Sequence, residues 1–181
     1  MIQRQVFDNF LEKDYFDYLS QVVMGTWHDR SIMYQMQKTV AFSSDCKDMP
    51  PWNFMGISMI YDNDEPLHPF YQELSETFLP LFKEKVYEYH SLVRIKCNFY
   101  PYTETFHKHR YHKAFSFDNV GAEFSINTCD GYTEFDDGAI VESVANRLVV
   151  FHAQDSHRST TTTTDLGRFN NTFNLFRAMQ P

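Results

Sequence analysis

The chain has 181 residues, a formal net charge of -8 and 43% hydrophobic residues, among them 18 Phe and 11 Tyr. This length predicts one domain, residues 1–181, with enough chain to bury a sizeable core, and the composition argues against disorder. The acidic balance argues against nucleic acid as a partner, because phosphate contacts need clustered Lys and Arg. Three cysteines without a C-x-x-C pair argue against a disulfide framework and a zinc ribbon.

The start of the chain, "MIQRQVFDNF", lacks the apolar segment of a signal peptide. No apolar run elsewhere approaches the length of a membrane span. We therefore expect a soluble, cytoplasmic protein with no membrane partner.

The first half of the chain carries the helical patterns. Between Asp14, a candidate N-cap, and Gly25, a candidate stop, apolar residues recur on one face of a 3.6-residue period. A second helix is predicted to begin near Pro69 and to end or kink at Pro80. Its apolar face holds Phe70, Leu74 and Phe78.

The second half changes from a helical to an alternating period. In "LVRIKCNF", the apolar residues Val93, Ile95, Cys97 and Phe99 alternate with polar ones, as in a strand with one apolar face. Short runs of the same kind follow, separated by Gly and Asp: "AEFSIN", "YTEF", "AIVES" and "RLVVF". Many short strands after two helices predict an α+β protein with an antiparallel sandwich or barrel.

The last predicted strand, "RFNNTFNLF", has two different faces. Phe169, Phe173 and Leu175 share one face, which we expect to pack into a core. The other face presents a cation and three hydrogen-bonding side chains, Arg168, Asn170, Thr172 and Asn174. Such a face either meets solvent or lines a polar site, since half-wet antiparallel strands are common.

The eight histidines of the chain are unevenly distributed. His107, His109 and His112 lie within "FHKHRYHK". His157 comes 45 residues after His112, and Arg168 follows His157 by eleven residues. A single histidine is more often structural than a ligand, so the order and spacing of these residues are what suggest a metal site.

At these residues the chain resembles the Fe(II)/2-oxoglutarate-dependent oxygenases, specifically their small prolyl-hydroxylase-like members from marine phages. The resemblance runs through "RIKCNFYPYTE", "YHKAFSF", "INTCDGYTEFDDGAIVESVANRLVVF", "DSHRS" and "GRFNNTFNLF", and "VFDNFL" near the start also fits. It implies a double-stranded β-helix (jelly-roll, cupin-like) core, mainly residues 92–176. Helices, mainly within residues 1–91, would pack on one sheet. For a phage protein, the expected compartment is the host cytoplasm.

The resemblance also implies roles by position. His112 and His157 correspond to the two histidines of the facial iron triad. Arg168 corresponds to the arginine that pairs with the distal carboxylate of 2-oxoglutarate, which a planar guanidinium binds bidentately. Further candidates for contact with this co-substrate are Thr172, Tyr100 and Asn98.

The chain departs from the family at the third iron ligand. The family pattern is His-x-Asp, whereas this chain has His112-Lys113-Ala114, so Ala114 stands at a vacant carboxylate position. The fifteen residues from His112 to Asn127 keep the family spacing. Moving the first ligand to His109 or His107 restores no carboxylate, so the departure is local.

Three interpretations of Ala114 remain open. In the first, which we take as the main prediction, iron held by two histidines, or also by His107, His109 or Glu123, supports hydroxylation of an unidentified, peptidyl substrate. In the second, chloride takes the vacated position, as in the family's halogenases, which carry Ala or Gly there. In the third, the scaffold is catalytically silent and binds a peptide or partner. The expected ligands are Fe(II), 2-oxoglutarate, a primary substrate and, in the second interpretation, chloride.

Overall fold

The structure, a computed structural model, describes residues 3–26, 30–41, 50–86 and 88–178. The helical segments are α1 (Lys13–Met24), α2 (Phe70–Glu73), a π-helical turn (Leu74–Phe78) and α3 (Leu79–Lys85). The strands are β1 (Gln5–Phe7), β2 (Gln35–Gln37), β3 (Met55–Asp62), β4 (Glu65–Pro66), β5 (Tyr89–Pro101), β6 (Val120–Ser125), β7 (Tyr132–Phe135), β8 (Ile140–Glu142), β9 (Arg147–His152), β10 (His157–Arg158) and β11 (Gly167–Arg177). None of the described helices is long and apolar enough to cross a membrane.

Two antiparallel sheets organise these strands. The larger sheet has the order β1, β9, β6, β11, β5, β3, β2, with β4 paired to β3, and the smaller has the order β10, β7, β8. Side chains join the sheets, since Phe135 of β7 packs on Phe151 of β9 and Thr133 of β7 donates a hydrogen bond to Glu123 of β6. Two such facing sheets form a double-stranded β-helix, as the family resemblance implied.

The helices cover the other face of the larger sheet. Leu19 of α1 and Phe78 of the π-helical turn belong to one apolar cluster with Phe124 of β6 and Phe173 of β11. The rings of Phe78 and Phe173 stack, with centroids 4.4 Å apart and an interplanar angle of 3°. The predicted α+β class, with helices packed on one sheet, is therefore confirmed. That residues 1–181 form a single domain remains a prediction.

The first helix ends where the sequence predicted but begins earlier. Gly25 has a φ of 74° and donates its N–H to the Gln21 carbonyl, which closes α1 in the left-handed conformation that glycine adopts without strain. The N-cap is Glu12, with no side-chain capping bond, and Asp14 lies inside the first turn. The predicted Asp14 cap is wrong, although its carboxylate still lies at the positive end of the helix dipole.

The second helical segment continues through Pro80. One π-helical turn precedes the proline, and Pro80 occupies the first turn of α3, which runs on to Lys85. Proline lacks an N–H, but the first turn of a helix tolerates that loss. Pro80 therefore marks a change of hydrogen-bond pattern and does not end the helix.

The last strand, β11, lies between β6 and β5 in the larger sheet, and its two faces have different surroundings. Phe169, Phe173 and Leu175 lie in the core under the helices, as predicted, and Asn171 shares that face at 0% exposure. The opposite face turns toward the smaller sheet. In register, Thr172 lies between Lys96 of β5 and Glu123 of β6.

Candidate metal and ligand site

A polar cavity of about 190 Å³ opens on the face of the larger sheet that turns away from the helices. Alternation along each strand brings side chains two residues apart into this cavity. The lining includes Arg94, Lys96, Asn98 and Tyr100 of β5, Glu123 of β6, and Thr172 and Asn174 of β11. Of the two alternatives left open for the polar face of the last strand, solvent or a polar site, the structure shows that Thr172 and Asn174 line a cavity.

His112 and His157 face each other at one wall of this cavity. The two residues form an isolated antiparallel bridge, and each donates its backbone N–H to the carbonyl of the other at 2.9 Å. Directly opposed residues of such a pair project their side chains to the same side. The imidazole centroids accordingly lie 4.6 Å apart.

Both imidazoles are held in the neutral form that binds metals. Burial lowers the pKa of His112 to about 3, and His157 and the Lys96 ammonium add to the shift. Burial also lowers the pKa of His157, against an opposing contribution from the Asp155 carbonyl. That carbonyl lies 2.8 Å from His157 Nδ1, an arrangement that fixes the ring and leaves the Nε2 lone pair free.

Ala114 lines the same cavity and presents only a methyl group. In the described ranges, no three His, Cys, Asp or Glu side chains are grouped so that they could hold a metal ion. His107 stacks on Trp52 at 4.2 Å, and His109 Nδ1 lies 3.0 Å from Ser159 Oγ. The hypothesis that His107, His109 or Glu123 completes a three-residue ligand set therefore finds no support in this arrangement.

Arg168 is fully buried and already has a carboxylate partner. Its Nη2 donates to Glu123 Oε1 at 2.5 Å and to Thr133 Oγ1 at 2.7 Å, and its Nη1 donates to the Tyr132 carbonyl at 3.0 Å. Thr133 Oγ1 also lies 2.9 and 3.0 Å from the two Glu123 oxygens. The arginine that was predicted to bind the co-substrate is thus fully buried, and its guanidinium is paired with Glu123.

The other predicted contact residues do line the cavity. Thr172 Oγ1 donates to the Lys96 carbonyl at 3.3 Å, and Asn98 Nδ2 donates to Asn170 Oδ1 at 2.8 Å. Burial raises the pKa of Tyr100, and the nearby Glu123 carboxylate adds to the shift, so this hydroxyl stays protonated. These groups can donate or accept hydrogen bonds toward a bound molecule.

Among the charged lining residues, Lys96 was not singled out from the sequence, and Glu123 was considered only as an alternative iron ligand. Lys96 projects from the same strand face as Asn98 and Tyr100, and Glu123 projects from β6 on the other side of Thr172. The alternating pattern of "RIKCNF" could have placed Lys96 on that face. The contact of Glu123 with Arg168 needs the pairing of β6 with β11, which no local pattern reveals.

The two facing sheets, with helices on one of them, form a fold that solved prolyl hydroxylases and a 2-oxoglutarate-Fe(II) oxygenase family protein share. A prolyl hydroxylase from Trichoplax adhaerens, in complex with a peptide of a hypoxia-inducible factor, superimposes with a TM-score of 0.60 at 13% identity, over 96% of this chain and 83% of that one. A Pseudomonas putida prolyl-4-hydroxylase gives 0.53 at 16% identity, over 97% and 92% of the chains. A 2-oxoglutarate-Fe(II) oxygenase family protein from Burkholderia pseudomallei gives 0.67 at 9%, over 97% and 85%.

No protein-family model matches the chain, and no curated protein matches it significantly. Identities of 9 to 16% to the solved structures establish a shared fold. The predicted resemblance is therefore confirmed at the level of the fold, and the activity has to be argued from the site itself.

Proposed function

We propose that the chain is an Fe(II)- and 2-oxoglutarate-dependent oxygenase that hydroxylates an unidentified substrate, with His112 and His157 as iron ligands. The observation that carries the proposal is the pair of facing, neutral imidazoles in a prolyl-hydroxylase-like fold. With dioxygen as the oxidant, bound iron and 2-oxoglutarate would supply the hydroxylation of a C–H bond: one oxygen atom would enter the substrate and the other the succinate formed, together with CO₂, from the co-substrate.

The donor groups fit iron with two protein ligands. The Asp155 carbonyl orients the His157 ring as an outer partner orients a ligating histidine. The His112 ring is neutral at the cavity wall, so it can offer a nitrogen lone pair to a metal. Because Ala114 adds no negative charge, we expect weaker iron binding than a complete facial triad gives.

The remaining lining residues would position the reactants and exclude water. Tyr100 stays protonated and can donate a hydrogen bond, while Asn98 and Thr172 offer both donors and acceptors. These groups suit an oxygen-rich co-substrate better than an apolar one.

A peptidyl residue is the substrate class that we propose. The support is the fold, because two of the similar structures are prolyl hydroxylases and one of these holds a peptide.

Halogenation is a second candidate, and the position of Ala114 favours it. Its methyl group lies on the cavity wall, where a missing carboxylate leaves room for chloride. Lys96 and Lys113 also line this cavity and favour an anion there. A non-catalytic binding protein is a third candidate, favoured by the Glu123–Arg168 pair, which already occupies a terminal nitrogen of the predicted co-substrate arginine.

The test is an anaerobic Fe(II) titration with and without 2-oxoglutarate and chloride, followed by the visible charge-transfer band. We expect a band that His112→Ala and His157→Ala abolish and that the exposed-site control His90→Ala retains. A chloride-sensitive band would favour halogenation. Absence of any band in the unaltered protein would refute both enzymatic candidates.

A companion variant tests the assignment of Ala114. Ala114→Asp restores the carboxylate of the family pattern, and we expect it to tighten Fe(II) binding by at least about tenfold, since a carboxylate adds charge and a third ligand. Unchanged Fe(II) affinity would show that Ala114 does not face the metal position.

A further inference from the structure

The charges around the cavity are unbalanced in favour of cations. Arg94, Lys96 and Lys113 line it, whereas Glu123 is the acidic residue of the described lining. This local excess contrasts with the net charge of -8 for the whole chain. A small polar cavity with a cationic wall is suited to an anion.

The deepest cation, Arg168, is not available to that anion. Its two terminal nitrogens donate to Glu123, Thr133 and the Tyr132 carbonyl, and the side chain has 0% exposure. A ligand carboxylate that took the place of Glu123 on these nitrogens would leave a buried carboxylate without its partner, which is strongly unfavourable.

The Arg168–Glu123 pair is part of the architecture of the site. Glu123 lies beside Thr172 in the register of β6 with β11, and Thr133 reaches it from the smaller sheet. Gly131 makes room for the arginine, because a Cβ atom there would lie 2.8 Å from Arg168 Cδ. Residues from both sheets thus hold the Glu123 carboxylate against the guanidinium of Arg168.

Two lysines of the lining have no partner within the described residues, and Lys96 is the less exposed of them, since Lys113 is exposed. In the described ranges the Lys96 ammonium has no ion pair or hydrogen bond, whereas Arg94 donates to Asn174 Oδ1 at 3.3 Å. Burial lowers the pKa of Lys96 to about 8, and the charge of Arg94 adds to the shift. No acidic group contributes in the opposite direction, so the charged form of Lys96 is not compensated by an anion. A bound anion would offset this cost of desolvation.

We propose that Glu123 fills the guanidinium site of Arg168 from within the protein, and that the cavity binds a small carboxylate ligand through Lys96 instead. The volume of about 190 Å³ suits a small acid better than a drug-sized molecule. The inference deepens the proposed function, since 2-oxoglutarate is such an acid. Anion binding can be measured on metal-free protein, so the two proposals can fail separately.

The first experiment titrates metal-free protein with 2-oxoglutarate and with succinate, by calorimetry or ligand-detected NMR. We expect Lys96→Met to weaken both by at least about tenfold, as loss of a charge-assisted contact does. The control Lys13→Met removes a lysine from the exposed face of α1 and should leave affinity unchanged. Equal affinities of Lys96→Met and the unaltered protein would overturn the assignment of Lys96.

The second experiment empties the internal site by Glu123→Ala and supplies acetate from solution. We expect a lower melting temperature that acetate restores, an effect absent from the unaltered protein and from the space-filling variant Glu123→Gln. Glu123→Ala should also bind 2-oxoglutarate at least about tenfold more tightly than the unaltered protein does, because Arg168 becomes free for bidentate pairing. Equal acetate effects in all three proteins would refute the internal carboxylate. If Glu123→Ala fails to fold even in acetate, the Lys96→Met titration decides the proposal.

Discussion

At the scale of single residues, His109 shows how strongly this interior controls protonation. The side chain is 1% exposed, and its Nδ1 lies 3.0 Å from Ser159 Oγ. Its Nε2 is buried without a hydrogen-bond partner among the described residues. Burial lowers the pKa of His109 to about 4, and the charge of Arg168 adds to the shift. The ring therefore stays neutral in the folded protein where an unfolded chain would be protonated.

The sign of the resulting pH dependence follows from linkage. Below the usual histidine pKa of 6.5, His109 binds a proton in the unfolded chain, whereas in the folded protein it stays neutral down to about pH 4. The free energy of unfolding should therefore fall as the pH drops through this window, by at most about 1.4 kcal/mol per pH unit for this one group. Urea unfolding at about pH 7.5 and at about pH 5 measures this effect. Between these two pH values, His109→Gln should lose less free energy of unfolding than the unaltered protein loses. An equal loss in both proteins would contradict this assignment.

Residue positions were more predictable than residue partners. Asn98, Tyr100, His112, Ala114, His157 and Thr172 all line one cavity, because strand alternation and motif spacing are local properties of the sequence. Arg168 also lies on its predicted strand face. Its partner Glu123 is 45 residues away, and their contact depends on how β6 aligns with β11. Register between distant strands is set by the packed sheet as a whole, so the sequence pattern alone did not show that this arginine is already paired.

At the scale of elements, β11 separates an apolar environment from a polar one. Phe173 packs under the helices, while its neighbour Thr172 lines the cavity. The alternation predicted both faces. The path of the second helix was less predictable, because the tolerance of Pro80 depends on the hydrogen-bond pattern of the preceding turn. Apolar spacing determines which face of that segment is buried, and Phe70, Leu74 and Phe78 are indeed in the core.

Phe78 should be the most sensitive contact between the helical layer and the sheet. It has 0% exposure, stacks on Phe173 and also packs against Phe124 with centroids 5.3 Å apart. We expect Phe78→Ala to lower the free energy of unfolding by about 3–5 kcal/mol, because it leaves a cavity in the core. Phe117→Ala, at a residue 41% exposed, should cost about 1 kcal/mol or less. Denaturant unfolding of both variants measures the difference, and similar losses would show that the helices contribute little to the core.

At the scale of the whole molecule, Asn146 connects the N-terminal segment to the double-stranded β-helix. Its amide accepts a hydrogen bond from the Leu11 N–H at 2.9 Å and donates to the Leu11 carbonyl at 2.8 Å. The neighbouring Phe10 donates its N–H to the Asn146 carbonyl and packs on Phe78 and Phe124. Strand β1 pairs with β9 just beyond this point. One residue therefore holds together the start of the chain, the helical layer and the larger sheet.

Asn146 also has a φ of 62°, which asparagine tolerates better than most residues. Asn146→Gly keeps this conformation but loses both buried hydrogen bonds, so we expect a loss of about 1–3 kcal/mol in the free energy of unfolding. Asn146→Ala should lose about 1 kcal/mol more, because alanine is strained at positive φ. Asn63→Ala, at an exposed position with a φ of 51°, measures mainly that backbone cost, since its side chain makes only an exposed hydrogen bond to Asp62 at 3.2 Å. If Asn146→Gly were as stable as the unaltered protein in urea unfolding, the amide would not be what ties residues 10 and 11 to the sheet.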